Sequence, residues 1–284
     1  MTGASAVGQL QLTAKQHKTI GVVAADGKLP VILARCAKER GYKVVALPIT
    51  KEAQANLAPY ADVNIYVAPG QVRRNFDLMQ QNGCDGVVFI GKIKKLTALR
   101  SLHTFDWFAI RELMQLHNLS DDAIQSRIAF LLGERGMPIL KQSEFLQELF
   151  PDVGVISKRQ PTAQEYVDIE FGMRIAKEVA RLDIGQTVIV RNSMLIAVEG
   201  IEGTDEAIKR SVKLANGPVV VCKAAKLNHD QRFDIPTVGV RTLNSMKCFG
   251  GGGVLAVGAH ETMIVDREEM IAHAEKNGIA IVAV

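Results

Sequence analysis

The fold class is decided by residues 19 to 48, which read TIGVVAADGKLPVILARCAKERGYKVVALP. A β-branched run at 19–24 ends in a turn at Asp26-Gly27, and apolar residues at helical spacing follow as far as Gly41. A second apolar run occupies residues 43–48. A strand, a turn, a helix and a strand within about 30 residues are typical of a βαβ unit with a parallel sheet.

The pattern continues on both sides of the chain midpoint. Residues 63–68 and 86–91 predict two more strands, with a helix at 72–82 between them, so the first half resembles a doubly wound, Rossmann-like layer. In the second half the predicted strands are 187–191, 195–199, 219–223, 237–240, 254–257 and 279–284. The predicted helices there are 162–182, 204–215, 242–249 and 267–277.

We therefore expect an α/β protein with an N-terminal Rossmann-like parallel-sheet domain and a C-terminal α/β catalytic domain. The predicted borders are a loose tail at 1–18, a first domain at 19–150, a linker at 151–161 and a second domain at 162–284. The linker is indicated by Pro151, Gly154 and Pro161.

Composition narrows the function. Hydrophobic residues make up 48% and charged residues 23%, which is typical of a globular protein. A net charge of +4 without a long Lys/Arg run argues against a nucleic-acid partner. No apolar run approaches the roughly 18 residues of a spanning helix, the N-terminus lacks the apolar block of a signal peptide, and the four cysteines stand singly. These features predict a cytosolic protein with reduced thiols.

Two loops of the first domain follow predicted strands, where open parallel sheets bind ligands. They are residues 25–28, with Gly27, and residues 91–95, with Gly91 and Lys92. A simple turn is an equal explanation of Gly27. The G-x-G-x-x-G pattern is absent, which argues against a dinucleotide cofactor. Further on, Asp122 either belongs to a helix cap or reaches a metal or a ribose.

The first strong site signal is the stretch 197–205, where a strand runs into a helix. It carries three carboxylates within seven residues, punctuated by glycines, and the helix N-terminus offers free N–H groups to a phosphate. Carboxylates this close repel one another unless a cation such as Mg²⁺ lies among them. The alternative is that Thr204 or Asp205 caps the helix while Glu199 and Glu202 are solvated. The candidates are Glu199, Glu202, Gly203, Thr204 and Asp205.

The second signal is the stretch 223–236, which follows a predicted strand and mixes cations with carboxylates. Phosphoryl-transfer sites use carboxylates for metal and water, and cations for phosphate charge. An ordinary surface loop is the alternative. His229 has no Ser or Cys nucleophile in a recognisable motif beside it. We therefore expect it to make a supporting hydrogen bond in the site and not to belong to a catalytic triad. The other candidates are Lys223, Asp230, Arg232, Asp234 and Thr237.

At these two stretches the sequence resembles the LpxI-type UDP-2,3-diacylglucosamine pyrophosphatase family of lipid A biosynthesis. The resemblance covers nearly the whole chain after residue 18. Its most specific parts are residues 198–205 and 232–237, and it also includes Leu29-Pro30, Gly91-Lys92 and the stretches 119–122 and 183–186.

The resemblance implies metal-dependent hydrolysis of a UDP-linked diacylated glucosamine to UMP and 2,3-diacylglucosamine 1-phosphate, with substrate between the domains. It matches the family's important aspartate to Asp230. We accordingly expect Asp230, Asp234, Lys223 and Arg232 to be catalytic, and Mg²⁺ (or Mn²⁺) to be held by Asp230, Asp205, Glu199 and Glu202. The expected substrate-binding residues are Gly27, Leu29, Pro30, Gly91, Lys92, Asp122, Gly203, Thr204, His229 and Thr237.

Two other functions stay open at this point. One is hydrolysis of a different sugar nucleotide, and the other is non-catalytic binding of a nucleotide-linked lipid. Clustered carboxylates favour an enzyme, because a binder of diphosphate favours cations and backbone N–H groups. The expected location is the cytoplasm or, peripherally, the inner-leaflet membrane surface, and homo-oligomers are compatible with the sequence.

Overall fold

The computed structural model describes residues 18–91, 104–118, 121–226, 232–233, 235–247 and 252–284. The side chains of Asp121 and Asp122 are outside this description. Within it the chain forms two α/β domains, each built on its own sheet. The predicted fold class is confirmed.

The N-terminal domain is a parallel sheet of four strands in the order β3-β2-β1-β4, which is the first half of the Rossmann order. Its elements are β1 (Thr19–Ala24), α1 (Leu29–Glu39), β2 (Lys43–Pro48), α2 (Lys51–Leu57), β3 (Val63–Asn64), α3 (Val72–Gln81), β4 (Gly86–Ile90), α4 (Trp107–Met114), α5 (Asp121–Glu134) and α6 (Gln142–Phe145). The central strand β1 is covered on both faces, which explains its nearly continuous apolar sequence.

The C-terminal domain is built on a mixed sheet of six strands in the order β5-β12-β10-β8-β6-β7, and its two other strands, β9 and β11, form a separate parallel pair. Its elements are β5 (Gly154–Val155), α7 (Ala163–Arg181), β6 (Thr187–Arg191), β7 (Met194–Val198), α8 (Thr204–Ala215), β8 (Val219–Lys223), β9 (Thr237–Val238), α9 (Val240–Met246), β10 (Gly253–Val257), β11 (Met263–Ile264), α10 (Arg267–Lys276) and β12 (Ile279–Ala283). Helix α7 covers one face of the sheet, and α8, α9 and α10 cover the other. The domain is thus a three-layer sandwich.

Several elements differ from the sequence expectation. Residues 63–68 and 237–240 form strands of only two residues each, and the helix expected at 242–249 is α9, which begins at Val240 and ends at Met246. Helices α2, α4 and α6 and strand β11 were not predicted. Gly154–Val155, expected in a linker, pair antiparallel with β12 at the edge of the second sheet. Two residues are too few to show an alternation, so this edge strand has no sequence signal.

The two domains are joined by packing and by an ion pair. Ile235 and Met263 of the second domain belong to the apolar cluster that contains β1 and α1 of the first. The Lys28 ammonium lies 2.5 Å from the Asp266 carboxylate. The Phe89 ring of β4 and the Phe233 ring have centroids 6.0 Å apart. These contacts bring the carboxyl edge of the first sheet against the segment that leads into β9.

The described cysteines are reduced, as the sequence predicted. Cys36, Cys84 and Cys222 are buried and free, and burial raises the pKa of the Cys84 thiol to about 11. Cys248 lies outside the described residues. Of the helices described, none combines the length and the hydrophobicity needed to cross a bilayer.

Candidate active site at the edge of the C-terminal sheet

Three strands meet at one edge of the second sheet. Strands β7 and β8 end there and β6, which is antiparallel to both, begins there. Thr187, the first residue of β6, pairs with Lys223, the last residue of β8, and its carbonyl accepts a 2.8 Å hydrogen bond from the Glu199 N–H just after β7. The two sequence motifs therefore lie side by side, although 24 residues separate Glu199 from Lys223 in the chain.

Thr204 is the centre of a polar network at this edge. Its hydroxyl donates to Glu199 Oε1 at 2.8 Å and accepts from Lys223 Nζ at 3.0 Å. The Thr187 hydroxyl lies 3.5 Å from the Thr204 hydroxyl, and Gln186 N–H donates to Glu199 Oε2 at 3.4 Å. One hydroxyl thus links a carboxylate to an ammonium. We call Glu199, Thr204 and Lys223 the edge network.

Burying the Lys223 ammonium costs free energy, because the charged group loses its hydration. Lys223 is only 7% exposed and Thr187 is fully buried. A charged side chain is stable in such a place only when hydrogen bonds or opposite charges compensate its lost hydration. The edge network supplies that compensation and holds the ammonium in one position. A positive charge held in one position, such as the Lys223 ammonium, can stabilise an anion that binds beside it.

Helix α8 begins at the same place. Gly203, at φ +83°, precedes its first residue and makes no side-chain cap, so the first-turn N–H groups are not capped by a side chain. The positive φ favours glycine here. The alternative in which Thr204 or Asp205 is the cap is therefore wrong, because the Thr204 side chain is committed to Glu199 and Lys223. Nor is Glu199 simply solvated.

The other two carboxylates of the motif face different cations. Glu202 accepts a 2.7 Å hydrogen bond from Arg210, and this bond lowers the pKa of the Glu202 carboxyl. Asp205 lies 2.5 Å from the Arg241 guanidinium. Each pair involves a partly exposed side chain. Like-charge repulsion within the motif is thus relieved by arginines.

A divalent metal does not fit the described side chains by themselves. Glu199, Glu202 and Asp205 have separate partners, and across the described ranges no three His, Cys, Asp or Glu side chains lie together as metal ligands would. Asp230 and Asp234, the remaining predicted acidic residues, lie outside the described residues. Each of the three described carboxylates of the motif is already hydrogen-bonded or ion-paired.

The loop after β8 connects the edge network to the first domain. Lys226, near its start, lies 3.4 Å from Asp183, which precedes β6. At its far end Phe233 packs on Phe89 of β4, and the Arg232 guanidinium carbon lies 5.8 Å from the centroid of the Phe233 ring. His229, Asp230 and Asp234 belong to this connection and are outside the described residues.

The candidates in the first domain lie at its own carboxyl edge. Gly91, at φ +99°, follows β4, and a Cβ there would stand 2.8 Å from the Ala25 carbonyl oxygen, so the two loops are in direct contact. Gly27 has φ +115° and an open surrounding. Leu29 and Pro30 begin α1, where Leu29 packs against the apolar cluster of the first domain and Pro30 is buried. Lys92 is outside the described residues, and the Thr237 hydroxyl donates to the Ile235 carbonyl at 3.1 Å.

Three residues of this region were not singled out as site residues from the sequence. Thr187 and Gly185 contribute to the edge by hydrogen bonding and packing. Gly185 lies in the stretch 183–186 of the family resemblance, whereas Thr187 was predicted only as the start of the strand 187–191. Thr262 is fully buried and its hydroxyl has no hydrogen-bond partner among the described residues. Its N–H donates to Gly258 O, and Gly258 N–H donates to Lys223 O, so it lies beside the edge network without any sequence signal.

Gly185 provides a direct test of how tightly this edge is built. A Cβ at Gly185 would overlap the Glu199 backbone carbonyl, whereas a Cβ at Gly133 inside α5 would meet nothing within 4 Å. Gly185→Ala is expected to lower the free energy of unfolding by about 1–3 kcal/mol, as overpacking does, and to reduce activity. Gly133→Ala, the matched control, is expected to be neutral or to stabilise by up to ~1 kcal/mol.

Urea unfolding followed by circular dichroism measures both changes. Equal stabilities of the two variants would contradict the close approach of Gly185 and Glu199.

The fold and its polar edge define a two-domain α/β protein that presents an acid, a hydroxyl and an ammonium beside a helix N-terminus. Residues 19–149 match the LpxI N-terminal domain and residues 152–282 match the LpxI C-terminal domain. The chain belongs to the LpxI family. A curated relative, UDP-2,3-diacylglucosamine pyrophosphatase LpxI of Caulobacter vibrioides, is 30% identical over 283 residues, covering 94% of this chain and 98% of that protein. The resemblance and the expected enzyme class are confirmed.

Two solved structures overlap weakly with this chain. N5-carboxyaminoimidazole synthetase from Staphylococcus aureus shows a TM-score of 0.26 at 18% identity, over 64% of this chain and 41% of that one. The biotin carboxylase domain of Hydrogenobacter thermophilus 2-oxoglutarate carboxylase shows a TM-score of 0.28 at 17% identity, over 70% and 42%. The chain thus spans about two fifths of either structure, and overlaps of this size carry no argument about function.

Proposed function

We propose that this protein hydrolyses the pyrophosphate bond of UDP-2,3-diacylglucosamine, releasing UMP and 2,3-diacylglucosamine 1-phosphate. The proposal is supported by the family membership and by the name of the Caulobacter relative. The observation that carries it is the edge network, because Lys223 is a buried, fixed cation next to the N-terminus of α8. A diphosphate is the kind of ligand that such a pair of features stabilises.

The proposed roles follow from charge and position. Lys223 and Arg232 hold non-bridging oxygens of the diphosphate, and Glu199 orients the Lys223 ammonium through the Thr204 hydroxyl. Asp230 and Asp234 position the attacking water. Loops at Gly27 and Gly91 contact the substrate from the first domain. This assignment uses the loop 224–236, whose described ends touch both domains.

We propose a divalent metal on the ground of the family resemblance, with Asp230 as its principal ligand. Oxygen ligands favour Mg²⁺ or Mn²⁺. Treatment with EDTA is expected to abolish UMP release, and added Mg²⁺ or Mn²⁺ to restore it. The measurement is UMP by anion-exchange chromatography, with calcium as a non-restoring control. A full rate in demonstrably metal-free protein would overturn the metal proposal while leaving hydrolysis intact.

Two rival functions predict different results with purified protein. A hydrolase of another sugar nucleotide releases a nucleotide from UDP-N-acetylglucosamine, which lacks the two acyl chains, at least as fast as from the diacylated substrate. A non-catalytic binding protein retains the substrate and releases no UMP. Release of UMP from the diacylated substrate alone supports the proposed reaction, which we place in the cytoplasm or at the inner leaflet.

A further inference from the structure

Helix α4 carries an apolar face that points away from the protein. Trp107 is 78% exposed and Met114 is 79% exposed. Ile110, at 37%, lies between them. The spacing i, i+3, i+7 puts all three on one side of the helix. The opposite side, with Ala109 and Glu112, is buried. A helix on a protein surface normally shows the reverse arrangement.

Two arginines, Arg111 and Arg127, lie beside this face. Arg111 projects on the same side of α4 and its side chain is 59% exposed. Arg111 and Arg127 share a single carboxylate, Glu112, so the three groups together leave one positive charge. The shared carboxylate is buried, and the hydrogen bonds from both arginines lower the pKa of the Glu112 carboxyl against the opposing effect of burial. The arginines therefore stay positioned at the rim of the apolar face.

Two further features extend the surface. Arg73 and Arg74 of α3 are exposed, and they line a shallow depression of about 440 Å³ together with two carboxylates, Asp77 and Asp106. Asp106 is turned inward, because its carboxylate accepts from the Ala109 and Arg73 N–H groups. On α5 the ring of Phe130, 53% exposed, lies 5.3 Å from the Arg127 guanidinium carbon.

A tryptophan and aliphatic side chains on one helix face, bordered by arginines, match the interface of a lipid bilayer. The apolar side chains enter the boundary between headgroups and acyl chains, and the arginines remain at the level of anionic phosphates. Protein interfaces are also enriched in tryptophan, methionine and arginine, so the choice of a bilayer depends on the two acyl chains of the proposed substrate. We propose that the face formed by Trp107, Ile110, Arg111 and Met114 docks the protein on an anionic bilayer surface.

This inference rests on the proposed function, because a diacylated substrate resides in a membrane. Docking by α4 would bring the protein to the layer in which its substrate is dissolved. The helix belongs to the first domain, whose Phe89 meets the loop after β8. The first domain would then both dock on the membrane and contact the substrate through its loops at Gly27 and Gly91.

The chain offers a clean spectroscopic test, since Trp107 is its only tryptophan. The full-length protein is titrated with vesicles of phosphatidylcholine plus phosphatidylglycerol and with vesicles of phosphatidylcholine alone. We expect a blue shift of the tryptophan emission with the anionic vesicles, and quenching by lipids that carry a spin label near the headgroup. An emission spectrum unchanged by anionic vesicles would overturn the docking surface.

Variants separate docking from catalysis. The double variant Ile110→Ser, Met114→Ser is expected to lower the apparent affinity for anionic vesicles about tenfold or more, as judged by co-sedimentation. The matched control, Met194→Ser with Leu214→Ser, changes two exposed apolar residues of the second domain and is expected to bind as wild type does. Equal binding by all three proteins overturns the proposal.

Activity on detergent-dispersed substrate distinguishes this failure from failure of the proposed function. The double variant should hydrolyse that substrate at the wild-type rate. Absence of UMP release from every protein would refute the function and not the docking face. Light scattering tests whether a second copy of the chain binds this face instead. If the wild type is a dimer and Ile110→Ser, Met114→Ser is a monomer, the face is an interface between copies, and membrane docking is overturned.

Discussion

Asp230→Ala is expected to lower kcat by about 10²–10³, equivalent to about 3–4 kcal/mol of transition-state stabilisation, the usual loss when one preorganised electrostatic group is removed. The residue belongs to the connection between Lys226, which lies by the edge network, and Phe233, which lies on the first domain. Because uridine and the acyl chains supply most ground-state contacts, substrate binding should persist.

Single-turnover kinetics and equilibrium binding of the uncleaved substrate measure the two quantities separately. Asp152→Ala is the matched control, because its side chain is 95% exposed and pairs at 3.7 Å only with the exposed His260 ring in the described part of the chain. A variant that kept more than about a tenth of the wild-type kcat, a loss under ~1.4 kcal/mol, would exclude Asp230 from the chemistry. Asp205 and Asp234 would then be the next residues to replace.

Lys223→Met should produce the second large effect, a loss in kcat/KM of about 10². The substitution removes the buried ammonium and leaves the Thr204 hydroxyl and the Glu199 carboxylate without it. An acceptor left unsatisfied costs about 1–3 kcal/mol of unfolding free energy. The variant should therefore be both slower and less stable.

A second substitution separates these two consequences. Glu199→Gln combined with Lys223→Met removes the unbalanced carboxylate, so it should recover part of the stability lost in Lys223→Met, while hydrolysis stays low. Lys209→Met, which breaks an exposed ion pair with Glu206, should cost no more than about 1 kcal/mol and leave the rate unchanged. Recovery of activity along with stability in the double variant would show that Lys223 has only a structural role.

The sequence predicted the first βαβ unit well because its signals are local. Strands 19–24 and 43–48 have the predicted bounds, since β-branched runs and the turn at Gly27 mark them. Strand β5 escaped prediction, because a two-residue strand is defined only by its partner β12. Helix α4 escaped as well, although Asp106 caps it with a hydrogen bond to Ala109 N–H.

In the candidate site, too, the local features were predicted from the sequence and the contacts between distant segments were not. Both motifs were recognised from residue types, yet their adjacency depends on β6 lying between β7 and β8 in antiparallel register. No local pattern encodes that register, so the bond from Lys223 to Thr204 could not be foreseen. The three carboxylates at 199–205 were expected to share a cation, but Glu202, in the turn before α8, pairs with Arg210, and Asp205, in the first turn of α8, pairs with Arg241. Their separate ion pairs became visible only with the helices in place.

The loop after β8 is held at its start by the second domain and at its end by the first domain. Its start continues from Lys223 in the second sheet, and its end is fixed by the Phe233 ring on Phe89 of the first sheet. Any change in the separation of the domains therefore changes the distance that this short segment must span. The Phe233 ring is therefore the described contact that holds the far end of this segment against the first domain.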